Sequence, residues 1–331
     1  MQGQVTIITP VFNGEKYIFR LLDSLLMQTY PYICMYVIDD GSTDNTKTII
    51  DNYIPKFKKR GYSLRYVHQE KGGQSAALNR GLKYVEGDYL LWPDADDWYK
   101  TPDAIEIMVN AIRSTDDTVG IARCQLEFIN ENTGGGIKTT LFAPCDTPFD
   151  LLEDAIYGTN GFLYAPIEWI VKTKYLDVFI PKREIYTRER AGQNAQILLP
   201  YLGYSKCVTI DKILCCYLVR ENSSCHEKRT YELSVDYDEG HLNAFVETLL
   251  KMDKLDAEKR AEYIMARQFY YYSHILNFDY EFENTVGFRK HYKHYSNSQI
   301  KLSKRWHRLW IWTTFFSIKS YKYIQKLIHH Q

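Results

Sequence analysis

The sequence predicts an α/β fold with a mostly parallel central sheet, followed by a helical extension. Three observations carry this expectation. Over the first 130 residues, short apolar runs alternate with stretches of helical periodicity. The segments that follow those runs gather glycines, carboxylates, one His and one Lys. Beyond about residue 230 the strand signals give way to a long helical pattern. Alternation of this kind implies parallel strands joined by right-handed crossovers.

The elements can be taken in order. Val5 to Thr9 reads as the first strand, and Leu21, Leu22, Leu25 and Leu26 recur at helical spacing within Lys16 to Thr29. Tyr36-Val37-Ile38 is the second strand, with a helix from Asn45 to Phe57 that Ser42, Thr43 or Asp44 can cap. Leu64 to Val67 and Tyr89 to Trp92 form the third and fourth strands, separated by a helix from Gln74 to Val85.

Composition sets bounds on the chain. At 331 residues it can hold a large domain with an appendage, or two domains, and 45% hydrophobic with 25% charged residues is ordinary for a folded soluble protein. The 28 Tyr are many, and suit flat stacking and hydrogen-bonding surfaces. Seven Cys without metal-ligand spacing, two of them adjacent at Cys215-Cys216, suit a reducing compartment, and a cytoplasmic location is expected. Val5 to Pro10 is too short for the apolar core of a signal peptide. The zero net charge hides a split: from residue 289 onward the side chains carry +10 with no Asp or Glu, so the rest carries −10. The tail therefore meets something anionic or the acidic body itself.

Ligands of parallel α/β sheets bind outside the carboxyl ends of the strands. There the first strand is followed by Pro10-Val11-Phe12-Asn13-Gly14-Glu15 and the second by Asp39-Asp40-Gly41-Ser42. After the third comes His68-Gln69-Glu70-Lys71-Gly72-Gly73-Gln74, and after the fourth Asp94-Ala95-Asp96-Asp97. Any one of these loops alone reads as an ordinary polar connection. Four on one edge read as a convergent site. Asp39 or Asp40 can accept from a base N–H and a ribose hydroxyl, Gly72-Gly73 admits close backbone approach, and Arg80 or Lys71 can face phosphate. Asp94 and Asp96 offer hard oxygen ligands that suit Mg²⁺ or Mn²⁺. No GxxxxGK[ST] or GxGxxG pattern is present, which removes the commonest nucleotide-hydrolysing and dinucleotide-binding classes.

These residues resemble a known family, the inverting family 2 glycosyltransferases of GT-A fold, whose sheet is Rossmann-like. The resemblance is carried by Ile7 through Tyr17, Leu22-Asp23-Ser24-Leu25 with Gln28-Thr29-Tyr30, and Val37 through Asp44. Gly73 through Gly81 and Gly87 through Asp97 complete it, and it is traceable to about residue 226. It implies a catalytic domain over 1–226, an extension over 227–331, and a UDP-sugar donor with Mn²⁺ or Mg²⁺. By the same resemblance Pro10, Val11 and Glu15 lie near the base, Asp39 with Asp40 beside it meets the uracil, and Gly73 and Arg80 belong to the donor site. Asp94 would sit by the ribose, Asp96 would bind the metal bridging the diphosphate, and Arg220 and His226 would belong to a late loop over that diphosphate.

The pattern breaks at the general base. An inverting transferase needs a group to take the acceptor's proton, and the family's Glu-Asp pair is replaced here by Gln193-Asn194. An amide cannot serve. Three accounts stay open: a nearby carboxylate (Glu189 first, Glu184 or Glu168 behind it), an anionic group on the acceptor, or a chain that binds the nucleotide-sugar with little or no catalysis.

Further on, Glu232 to Gln268 reads as helical and Phe269-Tyr270-Tyr271-Tyr272 follows, as packing or as a frame for an acceptor sugar. In the tail, Arg305 to Lys319 mixes basic residues with three Trp and two Phe. The ten uncharged residues between Arg308 and Lys319 fall short of the roughly 20 that span a bilayer, but the segment suits an interfacial helix on an anionic membrane. A core helix or a subunit interface is the alternative, and no nucleic-acid motif accompanies the charge. The resemblance suggests a glycan acceptor, lipid-linked, in capsule or lipopolysaccharide synthesis.

Overall fold

In the computed structural model, residues 3–294 are described apart from 141, 143–144, 189–191, 221–228, 283, 285–286, 288–289 and 292; for 145–149 and 280–281 only the backbone is described. The chain divides into two units, 1–227 and 228–331.

The first unit is built on β1 (Val5–Val11), β2 (Ile33–Asp39), β3 (Ser63–His68) and β4 (Tyr89–Leu91), with α1 (Ile18–Leu26), α2 (Thr46–Arg60) and α3 (Gln74–Leu82) between them. β5 (Trp98–Tyr99), α4 (Ala104–Arg113), β6 (Val119–Asn130), β7 (Gly136–Thr139), β8 (Cys145–Phe149) and α5 (Leu152–Tyr157) follow. β9 (Trp169–Lys172), α6 (Leu176–Phe179), α7 (Asn194–Tyr204) and β10 (Lys206–Val219) complete the unit. The sheet order is β3-β2-β1-β4-β9-β6-β10-β5, with β7 on β6 and β8 on β10.

The parallel expectation holds for β1 with β2 and β4, β2 with β3, and β6 with β10. β9 departs from it, running antiparallel between β4 and β6. β1 is buried along its whole length, as a strand covered on both faces must be. α1 places Ile18, Leu21, Leu22 and Leu25 on its buried face, the i, i+3, i+4, i+7 stripe read from the sequence. α3 comes close to the sheet because position 81 is glycine: a Cβ there would stand 3.3 Å from Ile8 and Ile38 side-chain atoms.

Register aligns the carboxyl edge. Val11 pairs with Asp39, and Asp39 with His68, so three loops leave the sheet at one level. β4 stops at Leu91 opposite Ile7, short of the end of β1, and leaves room there for residues 92–97. The chain crosses over between β1 and β4, the kind of switch point where such sheets bind ligands.

In the second unit the single expected helix is two, α8 (Tyr231–Lys251) and α9 (Ala257–Glu281). Thr230 caps α8, its hydroxyl accepting from Leu233 N at 3.3 Å. Asp256 opens α9, its carboxylate accepting from Glu258 N and Lys259 N at 3.0 Å. Phe269 is buried within α9 and Tyr270 is exposed, so the aromatic run belongs to this helix rather than following it.

Candidate active site

The loops after β1 and β2 are laced together. Asn13, at φ +50°, a conformation its short polar side chain tolerates, donates its backbone N–H to Ser42 Oγ at 2.9 Å and accepts from Thr43 N at 2.9 Å. Gly14 N donates to Thr46 Oγ1 at 2.8 Å, and Glu15 N to Asp44 Oδ2 at 3.0 Å. Glu15 returns the bond: its Oε2 accepts from Asn45 N and Nδ2, both at 3.0 Å. That carboxylate stands at the N-terminus of α2, where negative charge is favoured. Glu15 is thus a brace between loops.

Asp39 and Asp40 are both buried and do different things. Asp39 accepts from Ser42 N at 2.8 Å and from Tyr66 OH at 2.5 Å, with His68 Nδ1 4.0 Å away. Burial, then the bond to Asp39, push the Tyr66 phenol well up. Since Asp39 is 1% exposed, a base N–H could reach it only after neighbouring side chains shift. Asp40 faces the third loop, accepting from Gln69 Nε2 at 2.7 Å and from Gly72 N and Gly73 N, both at 2.8 Å. Gly73 sits at φ +89°, open to glycine and strained for other residues, and starts α3. Over this edge stands Phe12, 45% exposed, with Lys71 Nζ 4.3 Å from its ring centroid.

The fourth loop brings the carboxylates together. Gln74, in the first turn of α3, donates its Nε2 to Asp94 Oδ1 at 2.6 Å, tying the glycine loop to the acidic one. Asp96 Oδ2 lies 2.5 Å from Arg220 Nη2, just beyond β10. The Arg220 guanidinium lies over the Tyr17 ring at 4.5 Å, and Tyr17 OH donates to Glu131 Oε1 at 2.7 Å. Asp97 is buried, accepts from Leu218 N at 3.0 Å, and leaves its Oδ2 without a partner. Burial first, then Asp96, push the Asp94 carboxyl up to about 7, against Arg220 and Gln74. Burial, with Asp96 and Asp94, pushes Asp97 well up. Further buried polar atoms without partners lie at Trp92 Nε1, Glu168 Oε1 and Oε2, Asn194 Oδ1 and Arg220 Nε. Native proteins leave few such atoms, and functional sites are one reason for them.

Some expected residues lie elsewhere. Arg80 is exposed in the last turn of α3, six residues or about 9 Å from the Gln74 end. Glu184 pairs with Lys83 at 3.1 Å, beside the far end of α3 and away from the carboxylates. Glu168 is 0% exposed and burial holds its carboxyl well above the usual range, so it is sealed from an acceptor hydroxyl. Asn194 opens α7 and anchors it, donating Nδ2 to Tyr164 O at 3.0 Å. Glu189 and His226 lie outside the described residues. Gln74, Tyr66, Tyr17 and Glu131 were not singled out from the sequence. Gln74, next to Gly73 in a ligand loop, carried the only signal; Tyr17 and Glu131 meet across 114 residues.

The model of Glycosyl transferase family 2 matches residues 6–171, half of the chain. The chain belongs to glycosyl transferase family 2. It is 33% identical over 247 residues to the glycosyltransferase GlyG of Streptococcus pneumoniae, covering 71% of this chain and 76% of that one. An uncharacterised glycosyltransferase of Rickettsia typhi is 38% identical over 129 residues, but this chain spans only 38% of its length. Among solved structures, Staphylococcus aureus TarS 1-349 in complex with UDP-GlcNAc is similar with a TM-score of 0.61 and 20% identity, over 90% of this chain and 80% of that one. A mannosyltransferase of Pyrobaculum calidifontis in complex with GDP-Man and Mn²⁺ gives a TM-score of 0.52 at 14% identity, over 100% and 89%. The fold is the GT-A type, with the acidic loop at the switch point of the sheet.

Whether the loop suits a divalent cation can be judged from its donors. Among the described residues no three His, Cys, Asp or Glu converge as a ligand group. Asp94 and Asp96 supply two hard carboxylates, crowded enough for one to raise the other. One or two carboxylates completed by substrate phosphates is the usual arrangement for Mg²⁺. The donor set fits.

Proposed function

We propose that this glycosyltransferase moves a sugar from a UDP-sugar to a hydroxyl of a glycan acceptor, with inversion at the anomeric carbon. The observation that carries the reading is the meeting of Asp94, Asp96 and Arg220 on the edge that also carries Asp39. The GT-A neighbour that holds UDP-GlcNAc supports a uridine nucleotide, and the neighbour with Mn²⁺ supports a metal.

In this reading the Phe12 ring and the Asp39 carboxylate receive the base, Gln74 aims Asp94 at the ribose, and Arg220 meets the diphosphate. A bound Mn²⁺ or Mg²⁺, held by Asp96, would neutralise charge on the leaving diphosphate. Gln193 and Asn194 take no proton, so Glu189 is the group we assign to the acceptor hydroxyl. The acceptor is a lipid-linked saccharide of surface-polysaccharide assembly, and residues 300–331 attach the protein to the anionic inner face of the cell membrane. No helix among the described residues is long and apolar enough to cross a membrane. Asn194, whose amide anchors α7, favours a second reading: a nucleotide-sugar-binding subunit with weak or no catalysis.

Calorimetric titration of UDP and several UDP-sugars, with and without Mn²⁺, tests the donor. Metal-dependent binding is expected, and Asp96→Ala should abolish the metal dependence. Unchanged affinity of that variant in Mn²⁺ rejects the metal assignment. Acceptor-dependent release of UDP separates a transferase from a binder, which releases none.

A further inference from the structure

Arg220 and the proposed cation claim the same carboxylate. The guanidinium sits on Asp96 at 2.5 Å, and the two side chains are only 24% and 18% exposed. A like-charged ion cannot share that carboxylate with the guanidinium without strong repulsion. Arg220 is steadied from its other side by the Tyr17 ring at 4.5 Å, and Tyr17 by Glu131 at 2.7 Å. Yet its fork is only partly satisfied, since Nε is buried without a partner. A planar donor fork with an idle N–H is suited to a ligand that offers more acceptor oxygens, and a diphosphate is one.

We propose that Arg220 is a resident counter-cation that gates the metal. It neutralises Asp96 in the nucleotide-free protein, transfers to the diphosphate when the donor binds, and so lets the divalent cation onto Asp96 only after the nucleotide. Tyr17 and Glu131 are positioning residues that hold the guanidinium over Asp96 until then. This rests on the reading that Asp96 takes the cation. It adds an order of binding and a reason for the Glu131–Tyr17–Arg220–Asp96 string, which no donor contact requires.

The test follows free Mn²⁺ by electron paramagnetic resonance with the full chain, without nucleotide and then with saturating UDP. Wild type should bind Mn²⁺ weakly alone and far more tightly with UDP. Arg220→Ala should bind Mn²⁺ without nucleotide at least about tenfold more tightly than wild type. Arg220→Lys, which keeps a cation there, should stay close to wild type, and Tyr17→Leu should fall between. Adding Asp96→Ala to Arg220→Ala should remove the gain. Equal nucleotide-free affinity of wild type and Arg220→Ala, with both binding Mn²⁺ in UDP, overturns the gate and leaves the donor site standing. Failure of every protein to take up Mn²⁺ even with UDP overturns the gate together with the metal assignment.

Discussion

Asp40→Ala separates a brace from a ligand contact. The Asp40 carboxylate is 3% exposed and accepts from Gly72 N, Gly73 N and Gln69 Nε2. Removing it leaves the buried Gly73 N–H without its acceptor, at a cost of about 1–3 kcal/mol. Gly72 and Gln69 stand nearer solvent and can turn to water, so each loses about 0.5 kcal/mol. The expected total is about 3 kcal/mol, a drop in unfolding midpoint of roughly 6–12 °C for a unit of this size. The loosened loop also carries Gln74, which aims Asp94, so UDP affinity should fall together with stability. Urea denaturation at unchanged slope measures the first and calorimetry the second. Asp40→Asn keeps one acceptor oxygen and should lose less of both. If Asp40→Ala unfolds within about 0.5 kcal/mol of wild type but no longer binds UDP, Asp40 is a ligand contact and the bracing argument is wrong.

Other perturbations address the remaining carboxylates and the tail. The Asp94 carboxyl is held at about 7 in the folded chain against 3.8 ordinarily, chiefly by burial and then by Asp96. The folded state therefore binds more protons between those values, and nucleotide-free stability should fall as pH rises from about 4 toward 7. Asp94→Asn should make that slope shallower in urea melts, leaving the part that the raised Asp97 and Glu168 carboxyls contribute, and an unchanged slope assigns the protons to those groups. Glu189→Gln should keep donor affinity while lowering turnover about 100-fold or more; a turnover near the parent rate puts the base elsewhere. Deleting residues 300–331 should release the protein from anionic vesicles, and undiminished flotation rejects attachment through that segment.

The sequence discloses most of the first four strands and their helices because periodicity is a local property. Leu21, Leu22 and Leu25 share a face whatever they pack against. β9 is not distinctive in the sequence because Trp169-Ile170-Val171 is apolar like any short buried run, and its antiparallel place between β4 and β6 depends on partners some 50 to 80 residues away. The break after Lys251 has no local signature of a stop, because Met252 to Asp256 carries neither Gly nor Pro, the usual signals. Its mark was Asp256, whose side chain restarts the helix as a cap.

The site was legible as a collection of groups but not as a division of labour among them. Sequence motifs gather Glu15, Asp39, Asp40, Asp94, Asp96 and Asp97 on one edge, and the resemblance gives all but Asp97 a ligand to meet without separating those that hold the loops together. Distances separate them. Glu15 and Asp40 face backbone N–H groups of neighbouring loops, across 30 to 33 residues, and are committed to holding those loops in register. Asp97 is turned inward onto β10. Asp39 is held by Ser42 N of its own loop as well as by Tyr66 OH, which leaves Asp94 and Asp96 as the pair held by side chains that can let go, Gln74 and Arg220. A carboxylate bonded to backbone cannot exchange its partner without moving a loop, whereas one bonded to an amide or a guanidinium needs only a rotamer change. Exchange of partners is what a donor site must do on each turnover, and by that criterion the two acidic residues whose partners are side chains are the ones fitted to bind and release.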